Sequence, residues 1–188
     1  MNTQGGLLDF LEEELKKKLK FNLQEQEIIK KLGIKHEVFL PLLFSLKFGG
    51  NWSYKTKKDS VRLMAIKDKV TRYDPEEKLG HTLETIYLFS NPVVLKEEGR
   101  VLRLEKCSEK QEREIVKRPY KVVIDGEDII KAVLDPSSLK IRVKHIQGPL
   151  TLEGSTAYGV SHEMDHLNES EGEERKCLWD FSYEINDS

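Results

Sequence analysis

Two histidines four residues apart, His162 and His166, enclose Glu163-Met164-Asp165 in a segment whose apolar residues recur at helical spacing. On a helix, side chains at i and i+4 stand one above the other, so these imidazoles can grip one metal ion only if the stretch is helical. Ala157, Val160, Met164 and Leu167 supply an apolar stripe beside them, and the pattern predicts a helix from Leu152 to about Asn168. Glu163 then sits next to the metal, placed to take a proton from its water. A fold that uses this motif must pack the stripe and still leave the two imidazoles reachable.

The 188 residues, 38% hydrophobic, are enough for one core of ordinary size, and a single domain over 1–188 is expected. Lys+Arg 31 nearly cancel Asp+Glu 33 to leave −2, so no global field draws the chain to nucleic acid or to a membrane surface, and neither is expected as a partner. No apolar run approaches membrane-spanning length. Met1 to Leu19 mixes leucines with acidic residues before Lys16-Lys17-Lys18, unlike a signal peptide. Two cysteines, Cys107 and Cys177, build no disulfide framework, and a cytoplasmic location is expected.

Residues 1–50 read as a helical part. Leu7, Leu8, Leu11, Leu15 and Leu19 recur three and four apart, a second helix passes through Ile28, Ile29 and Leu32 to end at Gly33, and Val38 to Phe44 reads as core bent at Pro41. The character then changes. Val61–Ile66, Thr82–Phe89, Val101–Leu104, Tyr120–Ile124 and Ile141–Ile146 carry β-branched and aromatic residues and read as strands. Residues 60–168 form the expected metal-site core, with lengthened loops between Arg118 and His162. In the tail, 169–188, Trp179, Phe181, Tyr183 and Ile185 alternate with polar residues as a last strand would.

The motif needs a third ligand. An extended His-Glu-x-x-His-x-x-Gly-x-x-His pattern would put a histidine six residues after His166, but position 172 is Gly172. Glu184 is the late glutamate outside the acidic run 169–174, and it falls in an expected strand. Cys107 is a soft ligand on the strand side of the chain, and a thiolate with two imidazoles leaves one position open for water. Two histidines and a cysteine is the preferred set.

At this point the residues resemble a known family. Glu105-Lys106-Cys107-Ser108, followed by His162-Glu163-Met164-Asp165-His166-Leu167-Asn168, is similar to peptide deformylase, which has Glu-Gly-Cys-Leu-Ser and later Gln-His-Glu-x-Asp-His-Leu-x-Gly. Ser90-Asn91-Pro92-Val93, Arg118, Gly154 and Ala157 fall where that family would have them, so the likeness covers roughly 60 to 168. The departures are Lys106 for glycine, Ser108-Glu109 for Leu-Ser, and Ser161 for glutamine. The family's Gly-x-Gly-x-Ala-Ala-x-Gln segment has no clear counterpart. Counting back from Arg62 sets Gly49 to Thr56 there, with Thr56 at the glutamine position.

The resemblance implies an α+β, peptide-deformylase-like fold, with antiparallel strands packed around a metal-bearing helix and helices at the N-terminus. It implies one divalent metal per chain, iron(II) with zinc(II) as the alternative, held by Cys107, His162 and His166. Glu163 would be catalytic, Ser108 and Thr56 would face the oxyanion or substrate, and Glu105, Arg118 and Asp165 would support the ligands, the first two as an ion pair. Leu104, Val160 and Tyr158 are candidates to line a methionine pocket. The implied reaction removes the formyl group from N-formylmethionyl nascent peptides at the ribosome. Losing one oxyanion donor costs about 10²–10³ in rate, so a slow or inactive paralogue that keeps its metal is the alternative. An endopeptidase with Glu184 as ligand is a third reading.

Overall fold

The computed structural model describes residues 21–56, 59–105, 113–136 and 138–168. The expected helix over Leu7–Leu19, the tail strand, Cys107, Ser108, Cys177 and Glu184 lie outside these residues.

Helix α1 spans Leu23–Leu32 and is closed at both ends by its own sequence. Asn22 accepts from the Glu25 amide while Glu25 takes the Asn22 amide, a capping box, and Gly33 (φ 66°) turns the chain out in the left-handed region. Its buried face is Ile28, Ile29 and Leu32. Helix α2, His36–Phe48, buries Phe39, Leu40, Leu42, Leu43 and Phe44. Pro41, where a bend was expected, lies inside the helix.

Ten strands follow. A five-stranded antiparallel sheet has the order β1 (Trp52–Lys55), β2 (Arg62–Asp74), β3 (Leu79–Ser90), β8 (Asp128–Leu134), β9 (Ile141–Ile146). A three-stranded sheet has the order β10 (Leu150–Glu153), β7 (Lys121–Asp125), β4 (Val93–Glu98), and β5 (Val101–Glu105) pairs with β6 (Glu114–Arg118). Helix α3, Ser155–Asn168, ends the described chain. Between Arg118 and His162, where lengthened loops were expected around the strands Tyr120–Ile124 and Ile141–Ile146, the chain forms two further strands, β8 and β10. The start of the expected last helix is also corrected. Leu152 pairs with Val122 in β10, and Gly154 (φ 59°) separates that strand from α3.

Strand alternation divides the apolar residues between two cores. Leu63, Ala65, Ile86, Leu88, Ile130 and Ala132 face α1 and α2. Met64, Ile66, Phe89 and Ile129 face the other way, onto Val122, Ile124 and Leu152 and onto Ala157, Val160 and Leu167 of α3. A fully buried side chain of this size stabilises by about 1.5–3 kcal/mol, so the second core alone fixes where α3 lies. The fold is mixed helix and strand with antiparallel sheets. Among the described residues no helix is long and apolar enough to cross a membrane.

Candidate active site

Helix α3 is fastened to β2 at both ends. The Thr156 hydroxyl donates to Asp68 Oδ1 (3.0 Å) near its start, and Arg62 Nη2 donates to Asn168 Oδ1 (2.7 Å) at its end. Between them the helix approaches β1 closely. A Cβ on Gly159 would stand 2.2 Å from Asn51 Nδ2, and the same Asn51 accepts the Lys67 amide through Oδ1 at 2.8 Å. Glycine at 159 is therefore a packing requirement of the helix that carries the motif.

On α3 the two imidazoles meet at their outer nitrogens. His162 Nε2 and His166 Nε2 are 3.1 Å apart, with the rings nearly perpendicular at 81°. Two nitrogens of a tetrahedral site with bonds of 2.0–2.1 Å stand about 3.3 Å apart, so this spacing fits two ligands of one small cation. His162 Nδ1 lies 3.2 Å from Glu105 Oε2 and 3.3 Å from Arg118 Nη2. Because Nη2 already donates to Glu105 Oε2 at 2.8 Å, the consistent arrangement has Nδ1–H donating to the carboxylate. That leaves the Nε2 lone pair aimed toward His166.

Arg118, 7% exposed, ties β5, β6 and α3 together. Its Nε and Nη2 donate to Glu105, and its Nη1 donates to Asp165 and, at 3.1 Å, to the Ser161 hydroxyl. Burial alone would raise the Glu105 carboxyl, but the hydrogen bonds and charge of Arg118, with His162, outweigh it and hold the group below the usual carboxylate range. Burial would lower the guanidinium, and Glu105 and Asp165 raise it instead. Both groups stay charged across the working range. The structure thus brings Glu105 and Arg118 to His162, and Asp165 to Arg118.

Glu163, the residue after His162 on α3, is 7% exposed. Burial pushes its carboxyl up, against the opposing pull of a hydrogen bond from Ser53 and the nearby His162. Ser53 lies on β1 and is itself buried. Thr56, three residues on, is placed differently. Its hydroxyl accepts the Val61 amide at 2.8 Å and its carbonyl takes Ser60 N–H at 3.2 Å, so it closes the turn between β1 and β2. By alternation it follows Tyr54, which belongs to the core under α1 and α2, whereas Ser53 reaches Glu163.

Of the expected pocket residues, Val160 is fully buried in the second core. Leu104 is exposed, and Tyr158 lies under Arg103, whose guanidinium carbon is 4.3 Å from the ring centroid. Sequence reasoning had no signal for Arg103 or Asn51, since both act through elements that meet only in the fold. Among the described residues no group of three or more His, Cys, Asp or Glu side chains is placed to hold a metal.

Residues 20–145 match the model of the RimB-like family, described as "Retropepsin-like aspartic endopeptidase RimB". The match takes in Glu105 and Arg118 and ends before α3. No curated protein matches the chain. Among solved structures, it is similar to the K4U-bound crystal structure of a class I type b peptide deformylase from Acinetobacter baumannii. That similarity has 20% identity over 74% of this chain and 80% of that one, with a TM-score of 0.43.

Proposed function

The chain belongs to the RimB-like family, and we propose that it is an amide hydrolase whose reacting centre is the histidine pair of α3. The observation that carries this reading is the 3.1 Å approach of His162 Nε2 to His166 Nε2, with His162 Nδ1 engaged by Glu105. His162, His166 and Cys107 would hold one divalent metal, iron(II) or zinc(II). Cys107 is two residues along the chain from Glu105, a span of at most about 7 Å. When bound, such an ion acidifies a water and polarises the carbonyl to be cleaved.

The chain's own residues do the rest. Glu105 selects the tautomer of His162 and Arg118 holds Glu105 in place. Glu163 takes a proton from the attacking water and passes it to the leaving amine, and the Ser53 hydroxyl steadies its carboxylate. A carboxyl raised by burial is suited to both steps. The finer reading is removal of formyl from the N-terminal methionine of new polypeptides in the cytoplasm, water and the formamide giving formate and a free amine. It rests on the resemblance of residues 105–108 and 162–168 to peptide deformylase.

A second reading follows the family description, endopeptidase chemistry on aspartates, which needs two carboxylates sharing a proton. The described aspartates of the matched span are used otherwise. Asp59 binds Lys35, Asp68 Thr156, Asp128 His145, and Asp74, Asp125 and Asp135 accept amides of their own turns.

Protein purified anaerobically with iron and given formyl-Met-Ala-Ser separates the readings. Turnover that falls in Glu163→Ala supports the metal hydrolase. Equal inertness of wild type and Glu163→Ala with stoichiometric metal points to an inactive paralogue. Peptide cleavage indifferent to chelator and to Glu163→Ala supports aspartate chemistry.

A further inference from the structure

Among the described residues, strands β2 and β3 extend beyond their neighbours as a two-stranded arm. β1 covers β2 from Arg62 to Ala65 and β8 covers β3 from Glu84 to Ser90, while the β2–β3 ladder runs on to Asp74 opposite Leu79. The Lys67 amide points to the outer edge of β2, since it donates to Asn51. Backbone groups alternate sides along a strand, so Lys69, Thr71 and Tyr73 present N–H and C=O outward, and Asp68, Val70 and Arg72 bond to β3. Val70 is 49% exposed, and Leu83 opposite it is 36% exposed on the same face. An open edge with an apolar strip beside it is a template for another strand.

We propose that this edge pairs antiparallel with the same edge of a second copy of the chain, about a two-fold axis at Val70. A two-fold axis perpendicular to the sheet joins like faces, so each residue meets one of its own parity. Centring on Thr71 would oppose Asp68 to the partner's Asp74, and centring on Arg72 would oppose Arg72 to itself. Centring on Val70 opposes Asp68 to the partner's Arg72 on both sides of the axis. It sets Val70 on its own copy and makes the Val70–Leu83 strips of the two arms continuous. Lys69 and the partner's Thr71 then exchange backbone hydrogen bonds, and the symmetric pair does the same. Opposite charges directly across strands favour this register over the other two.

Sedimentation velocity of the full chain tests the pairing. Only a few residues of each arm meet, which makes the pairing weak, and a species of twice the 21.8 kDa mass is expected on the order of 100 μM. Thr71→Pro removes an amide that faces away from β3 and abolishes the dimer without breaking the hairpin. Arg72→Glu also gives monomer, and Arg72→Glu with Asp68→Lys, which gives up the Thr156 bond and is compared in protein that urea unfolding shows to be folded, regains the dimer. Val70→Cys becomes disulfide-linked on mild oxidation above the level that the native cysteines give, and Arg72→Cys does not. A monomer at every concentration, a dimer that survives Thr71→Pro, or a charge swap that fails to restore pairing would overturn the proposal.

Discussion

Oε2 of Glu105 lies 3.2 Å from Nδ1 of His162, and this contact leaves the opposite ring nitrogen to face His166. The glutamate comes from β5 and the histidine from α3, 57 residues apart in sequence. A carboxylate in this position fixes tautomer and ring orientation, and losing such a partner weakens metal binding by about 10–100-fold. Glu105→Ala is expected to show that loss in a chelator competition. Glu105→Gln, whose amide oxygen can still accept from Nδ1, retains part of the affinity. Equal affinity of wild type and Glu105→Ala would remove Glu105 from the site.

The approach of α3 to β1 predicts an unequal double mutant. Gly159→Ala drives a methyl group into Asn51, and moving Asn51 strips the Lys67 amide of its acceptor, for a loss of about 1–3 kcal/mol. Asn51→Ala loses the hydrogen bond but makes room. Adding Gly159→Ala to Asn51→Ala should therefore cost little more, as urea unfolding would show. Simple additivity would contradict the packing described.

His145 joins β9 to the end of α1. Its Nδ1 is 2.8 Å from Asp128 Oδ1 and its Nε2 is 3.2 Å from the Leu32 carbonyl, two acceptors that favour the charged ring. The hydrogen bond to Asp128 raises the imidazole above its ordinary 6.5, against a smaller lowering by burial. A raised histidine contributes stability that is fully present below 6.5 and lost as pH rises through the folded value. The unfolding midpoint should fall as pH rises above 6.5 in wild type, and the fall should shrink in His145→Gln. The same slope in both proteins would exclude His145 as its source.

The motif helix was legible because a 3.6-residue stripe and the i, i+4 histidines agree, and Ala157, Val160 and Leu167 are buried as that stripe requires. Its start was misplaced because Leu150–Glu153 is four residues long, too short for alternation to outweigh the helical pattern that follows. Residues 67–74 of β2 and 79–81 of β3 were missed for a different reason. They are exposed or half-buried on both faces, so no apolar period marks them. Asp128–Leu134 begins right after the Asp125-Gly126 turn, and its central place in the sheet comes from pairing with β3 and β9, which no local pattern records. Counting placed Thr56 at the missing glutamine, but which side of β1 faces α3 is set by register with β2, and that register gives the contact to Ser53.

The most direct test is the metal content of anaerobically prepared protein, measured in wild type and in His162→Ala and His166→Ala variants that remain folded. One divalent ion per wild-type chain, lost from both variants, is the predicted result. A wild-type chain that takes up no metal, or variants that keep it, would contradict a reacting centre built on the histidine pair.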